Sequence, residues 1–541
     1  MQKIIFMTML LVTACMRADW ADDQLANMSL EQKVGQVFMP SFRVGKVGDY
    51  ELMIKLISDY QVGGILLLRG TLQLDERHSP VQEAMLINEL QRHADTALLI
   101  SQDFEWGLSQ CLKQVIRFPH NMTLGALENK QLIYELGKEI GRQCKLLGVH
   151  INFAPVVDVN SNPKNPVIHD RSFGSNIEEV TERALLYMQG MHDAGILSCA
   201  KHFPGHGDTD VDSHYALPVL RHSKELLIGR ELYPFQKMIE HNVPMIMTAH
   251  LHIPVLDDMQ NMPASLSKAA VTDLLKKELG YQGVIVTDGL AMQGVSDHFN
   301  SGDAAVMAVL AGNDLLIDSK DPIEAIDAVL QAVRVGIISE ERLNESVYKI
   351  LRMKQSMGLD AYQEQAVPSH DQFHTKEAYY LKGQLYSQAI TLVRDREGLL
   401  PLKHSPKTAA LFIEQQKVAI HKHADDTSLV TFSLKPDATN VDIFAIENEL
   451  AAFDSVVVCL FGMNKYMHKR FGISPANQDF IKRLQKQGKK VVLAIFGTPY
   501  AVALFDDIDT VIVAYEDDID AQYEAARVIL GKSRAQGKLP V

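Results

Sequence analysis

The sequence is poor in cysteine and has no apolar run long enough to cross a membrane as a helix. Its 541 residues include five cysteines, none of which forms a CxxC pair, and their spacing does not indicate a zinc site. Cys199 and Cys459 lie in apolar, strand-like runs and are predicted to be buried thiols. A disulfide between two of the cysteines stays open. No apolar stretch reaches the roughly 20 residues that a membrane-spanning helix needs.

Positive charge is also in short supply. The chain has 53 Lys and Arg against 67 Asp and Glu, a formal net charge of -14, which argues against a nucleic acid as partner of the whole protein. Apolar residues make up 47% and charged residues 22%, as in ordinary folded proteins. The length suffices for two or more domains with cores of their own.

The first residues, MQKIIFMTMLLVTAC, combine an early lysine, an apolar run and small residues before Cys15. This pattern predicts a secretory signal over residues 1–19. Small residues before a cysteine are also typical of a bacterial lipoprotein signal, in which Cys15 is lipidated and anchors the protein to a membrane. We therefore expect export to the periplasm or cell envelope. A plain signal cut near Ala18 and a buried N-terminal strand are the alternatives.

Eight short apolar runs alternate with amphipathic segments between residues 34 and 336. They are mostly continuous, which is how strands buried on both faces read, and they cover 34–40, 62–68, 97–104, 151–159, 196–204, 243–251, 283–289 and 314–318. The helical patterns between them include 130–148 and 177–195, and several end on a glycine. The pattern predicts an α/β protein with an N-terminal (β/α)8 TIM-type barrel over residues 20–360. A doubly wound sheet is the alternative.

A second set of apolar runs follows a polar stretch that we interpret as a linker over 361–385. The runs cover 408–415, 429–435, 456–463, 491–499 and 510–516, with helical patterns between them. They predict a smaller C-terminal α/β/α sandwich domain over residues 386–541.

Polar residues close several of the barrel runs. Catalytic groups of such barrels stand at the carboxyl ends of the strands. Six side chains meet this condition: Asp103, Asp158, Lys201, His202, His250 and Asp288. One alone is weak evidence, but six at one end of a barrel predict an active site there.

The stretch KHFPGHGDTDVDSH, residues 201–214, follows the fifth run. His202 and His206 are spaced like zinc ligands on a helix, but Phe203-Pro204-Gly205 breaks any helix between them, so a metal site loses its geometric basis. A solvated polar loop is another alternative. Asp212 can accept the ring hydrogen bond of His214, which makes that histidine a proton donor and acceptor near neutral pH.

Asp288 in VIVTDGLAM ends the seventh run, and Gly289 lets the chain turn away. A carboxylate nucleophile combined with a separate acid/base is the arrangement of a retaining glycosidase with a covalent glycosyl-enzyme intermediate. Here the acid/base is the histidine of a His-Asp pair.

Six motifs together resemble glycoside hydrolase family 3 in its bacterial β-N-acetylglucosaminidase branch: KHFPGHGDTDVDSHYALP, VIVTDGLAM, INFAPVVDVN, DRSFG, MTAHLHIP and PASLS. The resemblance covers nearly the whole chain. It implies that Asp288 is the nucleophile and that His214, supported by Asp212, is the acid/base. It also implies sugar contacts from four side chains: Asp103, Arg171, Lys201 and His202. His206 and Asp208 are expected to hold the loop in shape.

The resemblance implies a retaining exo-β-N-acetylglucosaminidase that acts on an oligosaccharide, such as a peptidoglycan fragment or a chitooligosaccharide, without metal or organic cofactor. Three rivals stay open: a β-glucosidase of the same family, a metallohydrolase and a non-catalytic cell-wall-binding lipoprotein. One departure matters, because the family's glycine-rich segment reads DFEWGLSQC here. Trp106 replaces a glycine and Cys111 an expected arginine, so affinity or sugar identity is in question. Trp106 is either a stacking platform for the sugar or a packing residue at the barrel rim.

Overall fold

The computed structural model describes residues 20–43, 49–68, 79–211, 216–402, 407–413 and 429–541. The expected signal segment 1–19 with Cys15, and the expected pair Asp212 and His214, lie outside these residues. The chain forms two compact units. The barrel unit comprises the described residues up to Arg117, Tyr134–Asp158 and Ala184–Thr375, and the sandwich unit comprises Phe118–Ile133, Val159–Arg183 and Lys376–Val541.

Short parallel strands close into a ring in the barrel unit. They are β1 (Phe38–Met39), β2 (Ser41–Arg43), β3 (Gly64–Leu68), β4 (Leu99–Gln102), β5 (Ile151–Asn152), β6 (Leu197–Phe203), β7 (Met245–Thr248), β8 (Val284–Thr287) and β9 (Leu316–Ile317). β2 to β8 form one sheet in chain order, and β1 pairs with β9. Leu315 bridges Val286 of β8. Since Pro40 alone separates β1 from β2, these two are halves of one strand and the ring has eight members.

Helices alternate with the barrel strands along the chain. Their bounds are Trp20–Asn27, Leu30–Gln36, Asp49–Ser58, Pro80–Arg92, Gln131–Leu147, Ile177–Asp193, Lys224–Leu226, Leu227–Glu231, Leu232–Glu240, Ala269–Glu278, Gln293–Ser296, Ser301–Ala311, Pro322–Arg334 and Glu340–Ser356. The predicted helices over 130–148 and 177–195 are confirmed to within two residues. Each is followed by a glycine with positive φ, Gly148 at 87° and Gly195 at 85°, as helix ends favour.

The barrel strands are all shorter than their apolar runs, and the reason is local at two of them. Residues 34–36 are helical because a capping box at Ser29 and Gln32 starts a helix that ends only at Gln36. Only Ile151–Asn152 of the run 151–159 is strand. Beyond it, the Ala154–Pro155 peptide bond is cis and pairing is reduced to an isolated bridge between Val156 and Lys201.

The sandwich unit is built on a six-stranded sheet. Its strands are β10 (Thr391–Asp395), β11 (Thr408–Ile413), β12 (Val430–Leu434), β13 (Ser455–Leu460), β14 (Lys490–Ile495) and β15 (Thr510–Val513). Their order is β10-β15-β14-β13-β11-β12, and only β10 is antiparallel to its neighbour. The five predicted runs are strands, but β10 was not predicted, since its charged Arg394 and Asp395 interrupt the apolar pattern.

Helices cover both faces of this sheet, and their bounds are Asn121–Gly125, Lys376–Ala389, Asn440–Leu450, Pro475–Lys486 and Ile519–Ile529. On one face, Phe412, Cys459 and Ala494 pack with Tyr386 and Ala525 in a single apolar core. Residues that alternate with these along the strands, such as Leu411, Val458 and Leu493, are also fully buried. The predicted three-layer α/β/α arrangement is therefore confirmed.

The described cysteines are all free thiols. Cys144, Cys199 and Cys459 are buried and Cys111 is partly exposed, so the two predicted buried thiols are confirmed. Across the described ranges, no helix has the length and apolar character to span a membrane.

Candidate active site

Four of the predicted site residues stand at one rim of the barrel. Lys201 and His202 lie within β6, Asp103 follows β4, and Asp288 follows β8. β7 pairs with both β6 and β8 in parallel, with Lys201 opposite Met247 and Thr248 opposite Thr287. Neighbouring strands are about 4.8 Å apart, so the backbones of Lys201 and Asp288 are roughly 10 Å apart across the rim. The two side chains therefore start from the same edge of the barrel, one on each side of β7.

Lys201 is a buried ammonium held between two carboxylates. Its Nζ atom lies 2.5 Å from Oδ1 of Asp103 and 2.9 Å from Oε1 of Glu105. Lys201 and Glu105 are almost fully buried, whereas 30% of the Asp103 side chain is exposed. One positive and two negative charges leave a surplus of acceptor oxygens. Sugar hydroxyls can donate to these oxygens, and the fixed ammonium can donate in return.

The pKa of the Cys199 thiol is affected by burial and by three charged side chains. Burial raises its pKa well above the usual range, the carboxylates of Asp103 and Asp288 raise it further, and the ammonium of Lys201 acts in the opposite direction. Cys199 lies in β6, two residues before Lys201. The predicted nucleophile and the predicted sugar-binding residues converge on the same part of the rim.

Asp158 orients His202. The Nδ1 atom of His202 lies 2.8 Å from Oδ2 of Asp158, and the carboxylate also accepts the backbone N–H of His202 at 3.2 Å and of His206 at 2.7 Å. The Asp158 side chain is fully buried. A carboxylate at Nδ1 keeps the proton on that nitrogen, so Nε2 is the acceptor nitrogen of the neutral ring.

The backbone around Asp288 is tightly held. Its N–H donates to the carbonyl of Thr248 at 2.9 Å, and its own Oδ1 accepts the N–H of Gly289 at 2.8 Å. The buried ring of His250 reaches the carbonyl oxygen of Gly289 with Nε2 at 2.9 Å and Ser265 Oγ with Nδ1 at 2.7 Å. His250 thus positions the turn that carries the carboxylate, and this bonding places it beside Asp288 as a support.

A second carboxyl group stands next to Asp288. Asp318 follows β9, and its Oδ1 accepts a hydrogen bond from Ser41. A Cβ atom on Gly289 would lie 3.2 Å from Asp318 Oδ2. Burial raises the pKa of the Asp318 carboxyl above its usual range; Ser41 and Arg43 oppose this, and the charge of Asp288 adds to it. The two carboxyls therefore interact through space.

The loop after β6 is pinned at its base. Gly205 has φ 129°, and a Cβ there would lie 2.6 Å from Oε2 of the buried Glu231. Arg230 bonds Oδ2 of Asp208 at 2.6 Å and Oε1 of Glu231 at 2.7 Å. His206 Nδ1 lies 2.9 Å from Thr209 Oγ1. These contacts agree with the expectation that His206 and Asp208 shape the loop that carries Asp212 and His214.

The zinc alternative is based on the spacing of His202 and His206. Nδ1 of His202 is engaged by Asp158 and Nδ1 of His206 by Thr209, with the ring centroids 6.1 Å apart. Within the described ranges, no three His, Cys, Asp or Glu side chains are grouped as metal ligands would be.

Cys111 has a structural contact at the position of the expected arginine. Its thiol donates to the carbonyl oxygen of Asp103 at 3.3 Å. A thiol is a weak donor, so this contact steadies the backbone of Asp103 without supplying a positive charge to a sugar. Trp106 is half-buried nearby in the chain.

Arg171 belongs to the sandwich unit. Its carbonyl oxygen accepts the side-chain N–H of Asn121 at 2.6 Å. The preceding Asp170 lies 2.9 Å from His120 Nδ1, and its pKa is held well below the usual range because His120 and His169 outweigh the opposing effect of its burial. The DRSFG motif is thus a rigid part of that unit.

Three supporting residues were not among the predicted site residues: Glu105, Asp158 in its orienting role, and Asp318. Glu105 and Asp318 carried a signal that could have been used, because each lies at the carboxyl end of a barrel strand. The contact between Asp158 and the ring of His202 had no signal, since 44 residues separate the two in the chain.

Known proteins resemble this chain in sequence and in fold. Residues 29–353 match the glycosyl hydrolase family 3 N-terminal domain. The chain is 32% identical over 547 aligned positions to Beta-hexosaminidase A of Pseudoalteromonas piscicida, covering 90% of both chains. It is 28% identical over 396 positions to a beta-N-acetylglucosaminidase/beta-glucosidase of Cellulomonas fimi, covering 71% of this chain and 68% of that one. The solved structure of a family 3 beta-N-acetylglucosaminidase from Paenibacillus sp. superposes with a TM-score of 0.82 at 34% identity, covering 95% and 98% of the two chains.

Proposed function

The chain belongs to glycosyl hydrolase family 3 and is a glycoside hydrolase, and from this premise we propose that it releases β-linked N-acetylglucosamine from the non-reducing end of an oligosaccharide. The observation that carries the proposal is the similarity over 90% of the chain to a β-hexosaminidase. Asp103, Lys201, His202 and Asp288 at one barrel rim support it.

In the proposed mechanism, Asp288 attacks the anomeric carbon. The bond from that carbon to the aglycone oxygen breaks, and His214 gives its proton to the departing oxygen. Water then attacks the same carbon, His214 takes a proton from it, and the bond to Asp288 breaks. Two inversions leave the product with the original β configuration. Asp212 keeps His214 in the required tautomer.

Binding of the sugar is assigned to the charged groups at the rim. Asp103 and Glu105 supply acceptor oxygens on either side of the Lys201 ammonium, and His202 presents a ring whose Nδ1 proton is fixed by Asp158. The family resemblance adds Arg171 to this set. The mechanism uses no metal or organic cofactor.

The natural substrate is proposed to be a fragment of peptidoglycan or a chitooligosaccharide. Release of free N-acetylglucosamine from each, followed by chromatography of the reducing-end product, distinguishes the two. A β-glucosidase is the second candidate, because the Cellulomonas fimi relative carries both activities in its name.

The deciding experiment compares 4-nitrophenol release from the β-N-acetylglucosaminide and the β-glucoside. The variants are wild type, Asp288→Asn and Asp297→Asn, where the last makes the same chemical change at an exposed position nine residues away. We expect activity on the first substrate, lost in Asp288→Asn and kept in Asp297→Asn. A preference for the glucoside would establish the second candidate, and activity retained in Asp288→Asn would overturn the mechanism.

Export with a lipid anchor at Cys15 is proposed from the residues of the signal segment alone. Incorporation of labelled palmitate in a bacterial host tests it, with Cys15→Ser expected to abolish labelling and Cys111→Ser to leave it unchanged. Unlabelled wild-type protein would exclude the anchor.

A further inference from the structure

A cavity of about 580 Å³ lies in the sandwich unit, and none of the residues assigned to the reaction lines it. Two segments line it, residues 435–437 and residues 468–475 except Phe471. The first segment directly follows β12, and the second comes after β13. The volume is within the range of small-molecule sites in proteins, roughly 300–1,000 Å³.

The strand order places this cavity at a switch point of the sheet. β11 lies between β12 and β13, and Ile413 at the end of β11 is level with Leu434 of β12 and Leu460 of β13. The chain passes from β11 to one neighbour and then crosses to the other. In open parallel sheets, ligands bind in the crevice that such a reversal opens at the carboxyl ends of the strands.

The lining carries an excess of positive charge. Its lining residues include three cations, Lys435, Lys469 and Arg470, one carboxylate, Asp437, and the imidazole of His468. In the part of the chain that the structure describes, none of the three cations forms an ion pair; Lys469 Nζ instead lies 4.9 Å from the ring centre of Tyr466. Three positive charges and one negative charge leave a net of two positive charges at neutral pH.

Arg470 adds an independent sign of a missing partner. Its Nε atom is buried and has no hydrogen-bond acceptor among the described residues. Buried donors of native proteins nearly always have an acceptor, so this N–H is available to an acceptor group of a bound ligand. Arg470 and the buried Phe471 both adopt left-handed backbone conformations, with φ 51° and 56°. Such conformations are uncommon for residues other than glycine and concentrate at binding sites.

The helix Pro475–Lys486 begins at the cavity, with Ser474 as its N-cap. Its positive end adds to the potential of the three cations.

We propose that this cavity binds a small molecule that carries a phosphate monoester. A phosphate monoester has a charge of about -1.5 to -2 at pH 7, which matches the net charge of the lining, and it accepts paired hydrogen bonds from a guanidinium. The lining shares no residue with those assigned to the glycosidase reaction, so neither proposal depends on the other.

The test is calorimetric titration of the full chain with glucose 6-phosphate, and with glucose and citrate as comparisons. Wild type is expected to bind glucose 6-phosphate, with affinity that falls as salt is added. Arg470→Gln and Lys469→Gln are each expected to weaken this binding at least about tenfold, the effect of losing one charge-assisted hydrogen bond. Lys486→Gln removes a charge from the far end of the same helix and is expected to bind as wild type does.

Lys435→Gln separates weaker binding from loss of folding. Because Lys435 is exposed, its replacement is expected to weaken binding without lowering the melting temperature. Absence of binding at millimolar glucose 6-phosphate, or binding unchanged in Arg470→Gln and Lys435→Gln, would overturn the proposal. Tighter binding of citrate would replace the phosphate monoester with a polycarboxylate, and equal binding of glucose would show that charge is not what is recognised.

Discussion

Asp158 and His202 are joined twice, through the ring Nδ1 at 2.8 Å and through the backbone N–H at 3.2 Å. The carboxylate thereby fixes both the position of the residue in β6 and the rotation and tautomer of its ring. The Asp158 side chain is fully buried, so its effect on a bound ligand would pass through the groups that it positions.

Asp158→Asn is therefore expected to impair binding more than chemistry. An amide cannot accept all three N–H groups that now converge on this side chain, so the ring and the loop after β6 lose their fixed orientation. We expect kcat/KM for the aryl N-acetylglucosaminide to fall about 10- to 100-fold, the usual effect of losing an orienting partner, with most of the loss in KM. Steady-state kinetics check this, with Asp258→Asn as an exposed control; a loss in kcat alone would contradict it.

Lys201→Met leaves Asp103 and Glu105 without their shared cation. Removing one partner of a buried ion pair costs about 3–5 kcal/mol, so a large fall in the urea midpoint is expected together with loss of activity. Lys201→Met/Glu105→Gln should regain part of the stability, because the buried carboxylate is gone, but none of the activity. Lys277→Met, which removes an exposed lysine paired with Asp273, should cost no more than about 1 kcal/mol. A double variant no more stable than the single one would refute the pairing.

Asp318→Asn tests the carboxyl beside Asp288. Burial raises the pKa of Asp318 in the folded protein above its value of 3.8 in an unfolded chain. The stability that this group contributes is then fully present below pH 3.8 and is lost as pH rises through the folded pKa. The neutral amide escapes that loss, so the variant should melt above wild type at pH 7 and lose its advantage near pH 4. Melting curves of both proteins between pH 3.5 and 8 test this. A difference in melting temperature that grows toward low pH would contradict the raised pKa of Asp318.

Gly205→Ala and Gly229→Ala form a matched pair. At Gly205, with φ 129°, a Cβ would lie 2.6 and 2.7 Å from side-chain atoms of Glu231, so the loop that bears Asp212 and His214 must move. We expect activity to fall at least about tenfold, because a small displacement of a catalytic group is enough to slow the reaction by that amount. At Gly229 the space for a Cβ is empty, and a helical alanine should be neutral or stabilising by up to about 1 kcal/mol. Similar behaviour of the two variants would show that the loop tolerates displacement.

Much of the barrel and its rim could be predicted because both follow from local patterns. Continuous apolar runs indicate buried parallel strands, and parallel strands bring Asp103, Lys201 and Asp288 to one edge. What the patterns could not supply is the partner of each group. Glu105 was visible in DFEWG, but its ion pair with Lys201 spans 96 residues of chain.

Two errors in the predicted elements have local causes. The helix that starts at Ser29 runs into the first apolar run, since helix boundaries depend on capping and not on hydrophobicity alone. β10 was missed because an antiparallel edge strand needs little apolar sequence. The domain boundaries at 360 and 386 stay predictions.

The sandwich unit is assembled from three separate stretches of the chain, which matters when the unit is exchanged between related enzymes. His120 N–H donates to Glu516 at 2.7 Å, Asn160 contacts the hydroxyl of Tyr500, and the N–H of Ser175 donates to the carbonyl of Pro540 at 2.9 Å. Segments 118–133 and 159–183 are thus hydrogen-bonded to the last third of the chain. Cutting or swapping at a single point near residue 375 would strip them of these bonds, so a recombinant hybrid with a related enzyme must transfer all three stretches as one set.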